Sequence, residues 1–147
     1  MNSKHKQQVI QSSVYGSLEI AEDQIYHFES DILGIPHIRE YALLPIDDTL
    51  FFLLHAVEED VSFVLLPAAQ AVEGYGFQLQ EETVSLLQLD SPDDVGVMLI
   101  VNIHDQDIYV NLKAPIILSP HSHKGCQFII NDQDLPIRHR LERKGES

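Results

Sequence analysis

Apolar residues in this chain come in short runs, and each run stops at a turn signal before a helix could present a face. Tyr41–Leu44, Leu50–Val57 and Val61–Leu66 are separated only by Pro45–Thr49 and Glu58–Asp60. Runs of this length, closed by Pro, Asp and Glu, suit buried strands. The same punctuation recurs. Leu18–Ile20 alternates with Ser17 and Glu19, and Gln24–Phe28 follows a polar turn. Glu29–Pro36 reads as a loop in which Gly34 permits positive φ and Pro36 keeps Ile35 out of the helical region. Val95–Ile103, Ile108–Leu112, Pro115–Leu118 and Cys126–Ile130 extend the series, with turns at Asp105–Asp107 and Lys124–Gly125. Pro115 cannot donate to a ladder, so it belongs at an edge or a bulge.

Helical signals are few. Gln80–Leu87 places Glu81 and Glu82 in a first turn, where they favour the helix dipole, and Val84, Leu86 and Leu87 supply an apolar side. Ser91–Asp94 offers a second start, with Ser91 as cap and Pro92 at the first helical position. The expected fold is therefore all-β and mainly antiparallel, a barrel-like or sandwich architecture with one or two short helices. A length of 147 residues suits one core and is short for two. No repeat or linker interrupts it. The expectation is a single domain over 1–147, with its core at about 9–140 and mobile termini at 1–8 and 141–147. The whole tail from Arg138 is poor in apolar residues.

Charge narrows the function. Nine Lys plus Arg stand against 23 Asp plus Glu, a formal net charge of −14. No Lys or Arg occurs from Tyr41 to Leu112, while Glu58, Glu59, Asp60, Glu81, Glu82, Asp93 and Asp94 all fall there. Such a field repels phosphate backbones, whose neutralisation supplies most nucleic-acid affinity. Direct nucleic-acid binding is not expected. A basic protein partner is, and those seven acids are its candidate contacts. The opening segment lacks the apolar run of a signal peptide, no stretch approaches a membrane span, and the single cysteine cannot pair within the chain. These features point to a cytoplasmic protein, and the chain is expected to be monomeric when free.

Catalytic constellations are sparse. His121 and His123 would point the same way if extended, with His104 or Asp105 near enough to join, as in a small metal-dependent β-barrel enzyme of cupin type. No Glu follows His123 until Glu142, and the pair lies between Pro120 and Gly125, in turn chemistry. Cys126 sits within an apolar strand and suits a packed thiol better than a nucleophile. Neither a cofactor nor a catalytic residue is expected.

An ordered set of short motifs carries more information. His27-Phe28, Gly34-Ile35-Pro36, Tyr41-Ala42-Leu43-Leu44-Pro45 and Phe51–Val57 are followed by Asp94-Val95, Asn111-Leu112-Lys113-Ala114-Pro115, Gly125-Cys126-Gln127 and Ile137-Arg138-His139. This set resembles the flagellar assembly factor family, FliW, from about Leu18 to His139. Departures occur at His37-Ile38, Tyr109-Val110 and Leu66-Pro67, where the family reads Gly-aromatic, Thr-Ala and Asn-Pro. The resemblance implies a small β-rich cytoplasmic factor that binds the translational repressor CsrA, relieving its repression of flagellin messenger RNA, and also binds flagellin. It implies scaffold roles for Gly34, Ile35, Pro36, Asn111, Leu112, Ala114, Pro115, Gly125, Arg138 and His139. Arg138 would pin the C-terminal segment by pairing with a carboxylate.

Overall fold

A computed structural model describes residues 7–91 and 94–142. The elements are β1 (Gln7–Ser12), β2 (Gly16–Ala21), β3 (Ile25–Phe28), β4 (Glu40–Pro45), β5 (Phe52–Ala56), β6 (Ser62–Pro67), α1 (Ala68–Ala71), α2 (Glu81–Leu86), β7 (Gly96–His104), β8 (Asp107–Val110), β9 (Ile116–Ser119), β10 (Lys124–Gln127) and β11 (His139–Arg140). Strands β7-β6-β5-β4-β3-β10-β9 run in that order, and a further β7–β9 pairing closes them into a seven-stranded barrel.

Closure depends on the length of β7. Its start, Gly96–Met98, pairs with β9, and its end, Val101–His104, pairs with β8, which in turn carries β11. Neighbouring strands are antiparallel except β3 and β10, whose parallel contact joins His27–Phe28 to Lys124–Gly125.

The apolar runs are continuous because most strands are covered on both faces. Phe28, Tyr41, Leu54, Ala56, Leu65, Ile116 and Leu118 fill one core cluster. Outside it, the β1–β2 hairpin lays Ile10 and Ile20 on Ala42. Ala68 of α1 joins Leu66, Leu99, Val101, Val110 and Leu112. Leu87, just after α2, covers Ile117 and Cys126.

Several boundaries differ from the sequence expectation. Gln24 lies in a 3₁₀ turn, Glu22–Gln24, where its Oε1 accepts the Ala21 N–H at 2.7 Å, so β3 starts one residue later. Lys124–Gly125, expected as a turn, opens β10, because the turn completes earlier, with His123 at φ 57. β10 ends at Gln127, while the Phe128 and Ile130 amides go to Pro115 and Lys113 carbonyls. The polar β1, the four-residue α1 and the short β11 carry no sequence signal strong enough to announce them. The Ser91–Asp94 helix start includes Pro92 and Asp93, which lie outside the described residues, as do the ends at 1–6 and 143–147.

Candidate functional site

An apolar groove of about 690 Å³ runs beside α1, lined by Pro67, Ala68, Ala69, the Tyr75–Leu79 segment and Val95–Met98 of the β7 entry. The Tyr75–Leu79 segment is held at its start and its middle. The Tyr75 hydroxyl donates to the Leu112 carbonyl at 2.7 Å, and Phe77 stacks on Phe128 with ring centroids 5.4 Å apart. Burial pushes the Tyr75 hydroxyl up to about 12, so it stays a donor. Glu73, Glu81, Glu82 and Asp94 are exposed in the segments flanking this groove. Glu81 and Glu82 occupy the first turn of α2, and Gln80 caps it without a side-chain bond. The arrangement offers an apolar shape between acidic stretches of sequence, and among its described lining residues no nucleophile and base come together.

The Glu58–Asp60 turn lies elsewhere, between β5 and β6. Glu58 and Glu59 line a second cleft, of about 340 Å³, with His27, His37, Ile38, Arg39 and Glu40. Asp60 is engaged within the fold: both its oxygens accept the Ser13 N–H, at 3.2 and 3.3 Å. Hydrogen bonding from Ser13 holds the Asp60 carboxyl below its ordinary value. Around the cleft the Arg39 guanidinium bonds the Asp31 carboxylate, and Lys124 reaches Glu29 at 2.9 Å. These partners are the leading causes that lower both carboxyls.

The structure does not extend the segment that carries the histidine pair. Residues 120–123 turn instead of extending, which removes the alternation that would align the two rings. His123 stacks on Tyr26 with centroids 5.5 Å apart and turns Nδ1 towards the Ile25 carbonyl, while His121 is exposed. His104 instead approaches Asp105 at 3.1 Å in the β7–β8 turn. Among the described residues no three His, Cys, Asp or Glu gather to hold a metal. Burial pushes the Cys126 thiol up to about 11.

A sequence model of the FliW protein family matches residues 8–141. The chain belongs to the FliW family of flagellar assembly factors. It is 35% identical over 136 residues to a flagellar assembly factor FliW from Caldicellulosiruptor bescii, covering 90% of each chain. It is 32% identical to the one from Geobacillus thermodenitrificans, covering 90% of this chain and 94% of that one. A crystal structure of the flagellar assembly factor FliW superposes with a TM-score of 0.84 at 29% identity, covering 94% of this chain and 99% of the other.

The motif positions that resemble FliW proteins sit at backbone junctions. Gly34 takes φ 85 in the loop carrying Ile35 and Pro36, which the Gln127 side chain tethers at the Leu33 N–H, 2.8 Å away. Asn111 Oδ1 accepts the N–H groups of Lys113 and Ala114, both at 3.0 Å, folding the link between β8 and β9 into a local turn. Leu112, Ala114 and Pro115 are buried, with Pro115 just ahead of β9. His139 pairs with Val110 across β11 and β8.

Arg138 departs from its expected carboxylate pairing. Its guanidinium lies over the Tyr109 ring, 4.1 Å from the centroid. The carboxylate contact falls to Arg140, which meets Asp107 at 3.2 Å. Tyr109 of β8 supplies the aromatic face. Sequence reasoning also missed His55, Tyr75 and Ser13. Their partners are 5, 37 and 47 residues away, and no local pattern announces them.

Proposed function

We propose that this chain is a non-catalytic, cytoplasmic regulator of flagellum assembly. It binds a CsrA-type translational repressor, relieving repression of flagellin messenger RNA, and it binds flagellin. The observation that carries this reading is the apolar groove beside α1, flanked by exposed Glu73, Glu81, Glu82 and Asp94 in a stretch with no Lys or Arg. Membership of the FliW family supports it. An apolar groove suits the apolar face of an amphipathic helix, the kind of segment a filament subunit could offer. A repressor of RNA needs a positive surface, which exposed acids complement. Among the described residues no helix is long and apolar enough to cross a membrane.

The charge also favours one route of relief. Bound beside the RNA site, so acidic a chain opposes phosphate without covering the site. A transient ternary complex then exists, and reciprocity requires RNA to weaken binding of this chain equally. Flagellin competes by sequestering this chain. Titrating a labelled RNA–CsrA complex with the purified protein tests the route. RNA dissociation that speeds up with added protein supports side-on displacement. A rate independent of its concentration means that only free repressor is captured. No binding to either partner removes the reading itself.

A further inference from the structure

Among the described residues His55 is fully buried, and it is the one charge-capable side chain in the buried polar set beside Ser12 and Ser119. Strand alternation places it opposite Leu54 and Ala56, which enter the core cluster lined by Phe28 and Tyr41, so its ring lies on the outer face of β5. Its partner across the ladder is Ala42, the residue on which the β1–β2 hairpin lays Ile10 and Ile20. The ring is thus sealed on the hairpin side of the barrel.

The bonds of its two nitrogens differ. Nδ1 stands 2.8 Å from the Ala56 carbonyl oxygen, and a carbonyl only accepts, so Nδ1 carries a proton. Nε2 is buried with no hydrogen-bond partner and lies 3.8 Å from Asp60 Oδ1. Asp60 in turn holds the Ser13 N–H in the hairpin's own turn. That tie matters because β1 and β2 pair only with each other among the described residues and share no backbone ladder with the barrel.

We propose that His55 and Asp60 form a proton-operated latch on the β1–β2 hairpin. Without a proton, Nε2 turns a buried lone pair towards a carboxylate and neither group gains. With a proton there, the imidazolium draws Asp60 inward in a charge-assisted contact and steadies it on Ser13. The residues paired with His55 across its two ladders are uncharged, Ala42 from β4 and Ser62 from β6, and Ile10 and Ile20 of the hairpin pack on Ala42; the charged group on that face of β4 is the exposed Glu40, two residues along from Ala42. Asp60 is the one carboxylate within ion-pair distance of the ring among the described residues. Hydrogen bonding from Ser13 keeps that carboxyl below its ordinary value, so it is charged at neutral pH. The latch is therefore engaged when both ring nitrogens carry protons and released when Nε2 loses its own. Release loosens the cover over Ala42 and Leu44 of β4.

The test uses the full chain, with hairpin amide exchange followed by NMR at pH 6 and pH 8 and corrected for intrinsic rates. The wild-type hairpin should be more protected at pH 6 by up to about fivefold, the range of a part-exposed ion pair. His55→Gln and Asp60→Asn should each abolish that difference while barrel amides keep their protection. The ¹⁵N shifts of the wild-type ring report the proton directly. Nε2 without a proton at pH 6, or equal hairpin ratios in wild type and both variants, overturns the latch.

Discussion

The ring of Phe28 fills the space where a side chain at Gly125 would stand: a Cβ there would lie 2.7 Å from both Cε1 and Cζ. The two residues are register partners in the parallel contact between β3 and β10. On another side the same Cβ would meet Leu118 Cδ2 of β9 at 2.9 Å. Glycine here lets two strands close on a large ring.

Gly125→Ala should therefore destabilise the protein by about 1–3 kcal/mol, the usual cost of overpacking a tight core. Phe28 is fully buried and cannot swing away. Trimming the ring should relieve the clash, so the alanine penalty should shrink in a Phe28→Leu background. Denaturant unfolding of the four proteins in the cycle measures this. Equal penalties in both backgrounds would mean the ring is not what excludes the methyl group.

Asn111 serves the next junction. Its side-chain oxygen takes two backbone amides at once, those of Lys113 and Ala114. Asn111→Ala should cost about 1–2 kcal/mol, since each bond contributes about 1 kcal/mol and Ala114 is buried. Asn111→Asp keeps an acceptor oxygen and should recover most of that loss in thermal unfolding. An aspartate variant as unstable as the alanine would show that the amide NH₂, not the oxygen, matters.

How much of this was legible in the sequence follows from which interactions are local. The strands from β4 to β7 announce themselves because both faces are buried and turns bound them. β1 does not, because among its described side chains Ile10 alone reaches a core cluster, and the sequence around it, with Gln7, Gln8 and Gln11, is polar. Barrel closure is invisible locally: β7 meets β9 through Gly96–Leu118 and β3 meets β10 through Phe28–Gly125. The Glu58–Asp60 run reads as one acidic patch, yet the fold divides it. Glu58 and Glu59 face a cleft while Asp60 binds Ser13. The groove beside α1 joins the β6 end, the Tyr75–Leu79 segment and the β7 entry, and no single window of sequence contains it.

Acid should weaken the loop between β3 and β4 in a defined way. Asp31 is lowered chiefly by Arg39, and Glu29 chiefly by Lys124. A carboxyl lowered by folding stabilises the native state above its unfolded value, and that contribution disappears as pH falls through the folded one. Loop protection should hold at neutral pH and decline as pH drops below about 4. Carboxyl ¹³C titration checks it, and Arg39→Met should return Asp31 towards its ordinary value. An unchanged Asp31 midpoint in that variant assigns the shift elsewhere.

Cys126 should be inert in the folded protein. It is buried against Leu87 and Ile117, and burial pushes its thiol up to about 11. The thiolate is the reactive form, so iodoacetamide at pH 8 should label the native chain far more slowly than the chain unfolded in denaturant. Mass spectrometry of the time course reads this. Equal rates in the two states would mean that the β9–β10 layer opens freely.

The groove and the acidic surface should separate in binding kinetics. Exposed charges act at a distance and set association, whereas close packing sets how long a complex lasts. Ala69 is exposed and lines the groove, so Ala69→Glu obstructs it without emptying the core or removing negative charge. For the partner seated there, this variant should raise the dissociation rate by about tenfold and leave association nearly unchanged. Replacing Glu81 and Glu82 together with Gln should instead slow association at low salt, and the difference should fade as screening shortens towards about 8 Å at physiological ionic strength. Glu58 and Glu59 form the matching control on the other cleft; Asp60 is left intact because it holds the hairpin. Surface-based kinetics against a CsrA-type repressor and against flagellin would assign each surface to a partner. If Ala69→Glu changes neither dissociation rate, the groove is not where either partner packs. If both amide pairs associate at the wild-type rate at low salt, the acidic surface only keeps the protein soluble.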